Sequence, residues 1–75
     1  MSKALRSSTR LTAIVDELRP QLGLAYLIDD RQQEWAVTRS TAGPGLDSLR
    51  LGSRIELEVE DHERFQLVSR YGTLT

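Results

Sequence analysis

Polar and apolar residues alternate most cleanly over 53–61, "SRIELEVED". There Ile55, Leu57 and Val59 fall on one side of an extended chain, and Glu56, Glu58 and Glu60 on the other. "EWAVTR" (34–39) repeats the pattern, setting Trp35 and Val37 against Ala36 and Thr38. "LAYLID" (24–29) reads as another strand, closed by the polar run 29–33, and "RFQLVSRY" (64–71) returns antiparallel after a turn at "DHE". The stretch "RLTAIVDEL" (10–18) is rich in β-formers at its start and runs into a turn carrying Pro20 and Gly23. A short helix over 11–19, capped by Thr12, fits the same residues, and the pattern leaves both readings open. "STAGPGLDSL" (40–49) gathers Ser, Thr, Gly and Pro into the longest loop. Residues 1–9 lack periodicity and are expected to form a mobile basic tail, leaving 10–75 as the folded unit. Five short strands with one long loop after the third predict an all-β fold, an antiparallel Greek-key barrel of the OB type.

Composition narrows the chemistry. A chain of 75 residues makes one domain with a small core, so short connections and a closed architecture are expected. With no cysteine, disulfides and thiolate metal sites are excluded. No apolar run approaches a membrane span, and "MSKALRSST" has no apolar segment of the secretory kind, so a cytoplasmic protein is expected. His62 is the only histidine and falls in a predicted turn, with no metal-ligand spacing around it. Asp29, Asp30 and Glu34 sit where turns and strand ends commonly carry acids. No enzyme activity, cofactor or metal is expected. The "GPG" at 43–45 marks a turn rather than a phosphate cradle.

Ten basic and eleven acidic residues give a net charge of −1, which argues mildly against a dedicated nucleic-acid binder. The charges are unevenly spread. Lys3, Arg6 and Arg10 precede the first acid, while Glu56, Glu58, Glu60, Asp61 and Glu63 crowd one segment, read as the solvated face of an edge hairpin.

Three blocks resemble the cold-shock domain family of small nucleic-acid-binding barrels. Residues 12–27, "TAIVDELRPQLGLAYL", follow the pattern "TGxVKWFNxxKGFGFI" without a gap, and "EWAVTRS" (34–40) follows "DVFVHxS". "GLDSLRLGSRIELEV" (45–59) is similar to "GxxSLxxGxxVxFxV", with Gly45, Ser48, Leu49 and Gly52 in the family's slots. The resemblance spans about 12–74. The motif of bacterial translation initiation factor one, "GxxVxVE", is also approximated by "GSRIELE", but the first two blocks favour the cold-shock family.

The resemblance implies a stacking face at Glu17, Leu18, Leu24, Tyr26, Ala36, Thr38 and Arg39, slots that the family fills mainly with aromatics. Only Tyr26 remains an aromatic platform there, and Asp16 and Leu22 replace lysines. Each stacked base contributes roughly 1–3 kcal/mol, so the loss of several platforms weakens binding by orders of magnitude. The implied site for single-stranded RNA or DNA is Tyr26 with Leu18, Leu24 and Thr38, Arg39 stacking through its guanidinium plane, and Arg19 and Arg64 contacting phosphate. Arg31 and Arg70 could add to that rim. Binding would be weak and little dependent on sequence, with RNA favoured over DNA. Tyr26 reads equally as a half-exposed strand tyrosine, whereas Trp35 takes an inward slot and is expected in the core. The rival expectation is a barrel whose altered face binds a protein partner or a second copy. Leu18, Leu24 and Tyr26 would then form the apolar patch, and Asp16 and Glu17 would set its charge preference.

Overall fold

The computed structural model describes residues 7–74. They form one five-stranded antiparallel sheet: β1 (Ser7–Arg19), β2 (Leu24–Asp29), β3 (Glu34–Thr38), β4 (Arg54–Asp61) and β5 (Gln66–Thr73). The strand order is β3-β2-β1-β4-β5, and the sheet curls into a half-barrel. The segments 24–29, 34–39 and 53–61 form strands within one residue of those bounds. Residues 7–9 do not belong to a tail, because β1 begins at Ser7; residues 1–6 lie outside the described residues. The helical alternative over 11–19 is replaced by this same strand. Short 3-10 turns occupy Pro20–Leu22 and, within the long loop, Leu46–Ser48.

β1 serves two neighbours in succession. Its first part, from Ser7 to Ile14, pairs with β4, and its second part, from Ala13 to Arg19, pairs with β2. A bulge between Val15 and Glu17 marks the changeover, where the Val15 N–H donates to the Ser53 carbonyl at 2.9 Å. The extra residue is Asp16. Bulges bend a strand and increase its twist, which suits one that must turn from one wall of a barrel to another.

Inside the curl, Ala13, Val15, Ala25, Leu27, Trp35, Val37, Ile55, Leu57, Val59 and Tyr71 pack together, with Leu49 contributed by the long loop. Full burial of such aliphatic side chains contributes roughly 1.5–3 kcal/mol each. Tyr71 ties the long loop to the far wall. Its N–H donates to the Ala42 carbonyl at 2.9 Å, and its hydroxyl accepts from the Gly45 N–H at 3.0 Å. Gly43 lies against the Tyr71 ring so closely that a Cβ there would stand 2.5 Å from Cε1. The first part of β1 and the β4–β5 hairpin extend past β2 and β3, giving principal extents of 42 × 24 × 22 Å. The β4–β5 hairpin lies at one edge of the sheet as expected, with β5 outermost and β4 paired on both sides. The β4 glutamates are half-buried beside β1 and β5, with Arg70 Nε 3.8 Å from Glu58 Oε1.

Candidate binding face

The two-residue period of β2 sends Ala25 and Leu27 into the core and leaves Leu24, Tyr26 and Ile28 half-buried on the outer surface. Cross-strand pairing fixes their neighbours. Tyr26 stands between Glu17 on β1 and Ala36 on β3, Ile28 between Ile14 and Glu34, and Leu24 between Arg19 and Thr38. An apolar strip therefore runs along the outside of β2. Its borders carry carboxylates at Asp16, Glu17 and Glu34.

The seven residues expected to bind nucleic acid do not all meet on this strip. Leu24, Tyr26 and Thr38 lie on it. Leu18 pairs with Ala25 and packs against the core, because the bulge at Asp16 shifts the alternation of β1 by one residue. The Arg19 Nε is ion-paired with the carboxylate of Glu17. Arg39 lies over Gly23, donating from Nη2 to the Pro20 carbonyl at 3.1 Å and from its backbone N–H to the Gly23 carbonyl at 3.1 Å. Gly23, at φ +70°, has the left-handed conformation that glycine adopts freely, and a Cβ there would meet the guanidinium at 2.9 Å. Arg39 is thus a clasp between the end of β3 and the β1–β2 turn. Thr38 organises its own turn, its Oγ1 accepting from the Ser40 N–H at 3.1 Å. Arg64 sits in the β4–β5 turn, at the end of β1 opposite to Arg19.

Both ends of the strip open into hollows. At the Leu24 end, Leu18, Pro20, Leu24, Leu46, Asp47 and Leu49 surround an apolar dimple of about 200 Å³. At the Ile28 end, a broad depression of about 590 Å³ is lined by Ile14, Ile28, Asp16, Asp29, Asp30 and Gln32. The first end is greasy with one acid beside it, and the second is strongly acidic.

Asp29 belongs to the architecture of the β2–β3 turn. One carboxylate oxygen accepts from the Trp35 Nε1–H at 2.9 Å, and the other accepts from the Arg31 and Gln33 N–H groups at 2.8 and 3.0 Å. The Trp35 bond above all, helped by the two backbone donors and the Arg31 charge, outweighs partial burial and lowers the Asp29 pKa below its ordinary value. Trp35 itself is 7% exposed and belongs to the core, as its strand pattern predicts. Above it the barrel mouth holds a polar recess of about 400 Å³, bordered by Thr9, Leu11, Asp29, Arg31 and Gln66.

Sequence reasoning missed Ile14 and Ile28 as members of the outer face, and Pro20, Leu46, Asp47 and Leu49 as walls of the dimple. The signal for Ile28 was available in the two-residue period that selected Leu24 and Tyr26. The dimple is built by a loop that arrives from more than twenty residues away, so no local pattern announces it. No family model matches the chain, and neither a curated protein nor a solved structure is significantly similar to it.

Proposed function

We propose that the chain is a non-catalytic binding barrel of the cytoplasm, an OB-type Greek-key fold of the cold-shock kind. Its β1–β2–β3 outer face docks a segment of a protein partner. The strand order, with β1 shared between β2 and β4 and the long loop bridging towards β5 at Ala42 and Arg70, supports the barrel part of this reading. One observation carries the choice of partner. The sole aromatic of the face, Tyr26, is paired across the sheet with Glu17, while Arg19 and Arg39 are engaged within the protein. A phosphate chain laid over Tyr26 would meet carboxylates where counterion release requires free cations. An apolar strip with acids beside it suits a polypeptide better.

A second reading keeps weak, unspecific binding of single-stranded RNA or DNA. It is favoured by Tyr26 itself, half-exposed at the centre of a face that OB barrels use for oligonucleotides. The response to salt separates the two. Labelled RNA and DNA homopolymers are titrated with the full chain at low and then physiological salt. The docking reading expects no binding at either. Micromolar binding that collapses with salt and is lost in Tyr26→Ala would overturn it in favour of nucleic acid.

A further inference from the structure

The charge around the strip specifies more than a generic protein partner. We infer that the face takes an extended, cationic segment with an apolar anchor residue, the anchor entering the dimple beside Leu24 and basic residues lying along the carboxylates. This rests on the docking reading of the same face. The dimple is continuous with the strip through Leu24, which lines both, so one bound segment reaches the two. Buried apolar pockets of this kind hold the residues that dominate affinity in interfaces. Acids stand along the whole path: Asp47 at the dimple, Glu17 and Glu34 on either side of the strip, and Asp16 with Asp30 at the far hollow. Of the nearby cations, Arg19 already answers Glu17, Arg39 is held on Pro20 and exposed Arg54 stands opposite Ile14, and among the described residues Asp16, Asp30, Glu34 and Asp47 have no ion-pair partner. An acidic segment would be repelled at those four carboxylates, and an uncharged one would leave them unanswered. Complementary charge at a rim chiefly selects the partner and speeds encounter, which is the role assigned to these acids.

The test uses the full chain and three fluorescent peptides of about nine residues, enough to run the length of β2 at ~3.3 Å per residue. One alternates Lys with Leu, one Glu with Leu and one Lys with Ser. The Lys–Leu peptide is expected to bind at least about tenfold more tightly than either of the others, a gap of ~1.4 kcal/mol. Neutralising three acids together (Asp16→Asn, Glu17→Gln, Asp47→Asn) is expected to weaken that binding roughly tenfold while exposed-surface changes leave the fold intact. Because Glu17 is ion-paired, a second variant, Asp47→Asn alone, checks that the effect does not come from a released Arg19. It should lower affinity by a smaller factor in the same direction. Equal binding of the Lys–Leu and Glu–Leu peptides would overturn the cationic assignment and leave the docking face standing. Failure of every peptide, with a labelled oligonucleotide bound instead, would overturn both.

Discussion

The two faces of β2 have opposite characters although they alternate along six residues. The inner face, Ala25 and Leu27, is fully excluded from solvent and touches side chains from distant parts of the chain. The outer face, Leu24, Tyr26 and Ile28, is only half-covered, standing beside its sheet neighbours and the two hollows at its ends. Shape constrains the first face, because a packed interior registers the loss of a single methylene. Chemistry constrains the second, where a residue can change without moving the backbone. Stability and function should therefore separate cleanly between adjacent residues of one strand.

Leu27→Ala probes the inner face where the expected loss is largest. Truncating a buried leucine removes its transfer free energy and leaves a cavity, a cost of roughly 2–5 kcal/mol. In a domain this small that consumes much of the total stability, so urea unfolding should shift to far lower denaturant or show no folded baseline. A change comparable to that of an outer-face variant would break the distinction. Gly43→Ala tests closure of the barrel rather than its filling. A Cβ at that position would lie 2.5 Å from the Tyr71 ring and 2.7 Å from the Tyr71 carbonyl oxygen, and the ring is buried. Displacing it should cost about 1–3 kcal/mol, as overpacking does elsewhere. Gly45 has open space around it but φ +111°, so Gly45→Ala measures backbone strain instead of contact.

Much of the inner face is readable without coordinates. The alternation over 34–39 and 53–61 identifies two strands and their buried sides, because one side of each is covered, and 24–29 reads as a third strand. The start of β1 is not readable, since the residues at 8–10 are exposed and polar on both sides and carry no period. Its later part misleads for a different reason. The bulge at Asp16 makes the inward residues fall at 11, 13, 15 and 18, and Leu11, Val15 and Leu18 also match a helical repeat. The same bulge turns Leu18 inward, away from the strip on which Tyr26 lies. A second bulge after Glu58 opposes Val59 to Val68 and Leu57 to Tyr71, so Tyr71 falls three residues from its inward neighbour and escapes the pattern. The role of Arg39 is hidden because its partner is a backbone carbonyl nineteen residues earlier.

Acid sharpens the comparison at the place where the two faces meet. Asp29 ends β2, accepts the indole N–H of the buried Trp35, and lines the outer hollow as well. Its folded pKa lies below the ordinary 3.8, so its contribution to stability is complete above that value and is lost as pH falls through the lower folded value. Wild-type protein should keep a native Trp35 emission maximum through mild acid and then lose stability more steeply than Asp29→Ala, which lacks the group. Parallel stability curves for the two proteins below pH 4 would show that the indole–carboxylate bond is not a pH-linked prop.

Tyr26→Ala gives the smallest expected change in folding and the most informative one. The side chain is half-buried on a surface where cross-strand pairs contribute only tenths of a kcal/mol, so unfolding should move by less than ~1 kcal/mol. Binding should respond far more, because an aromatic at the centre of a docking strip supplies rigid area that alanine cannot replace. Tyr26→Phe keeps that area and loses only the hydroxyl, so it should restore most peptide affinity. If Tyr26→Ala destabilised the protein as much as Leu27→Ala, the outer face would be part of the core, and the strip would be a wall of the barrel rather than a place for a partner. A near-native unfolding curve with lost peptide binding is the opposite result. It would mean that the two sides of β2 divide the labour of one strand, with folding written on one side and recognition on the other.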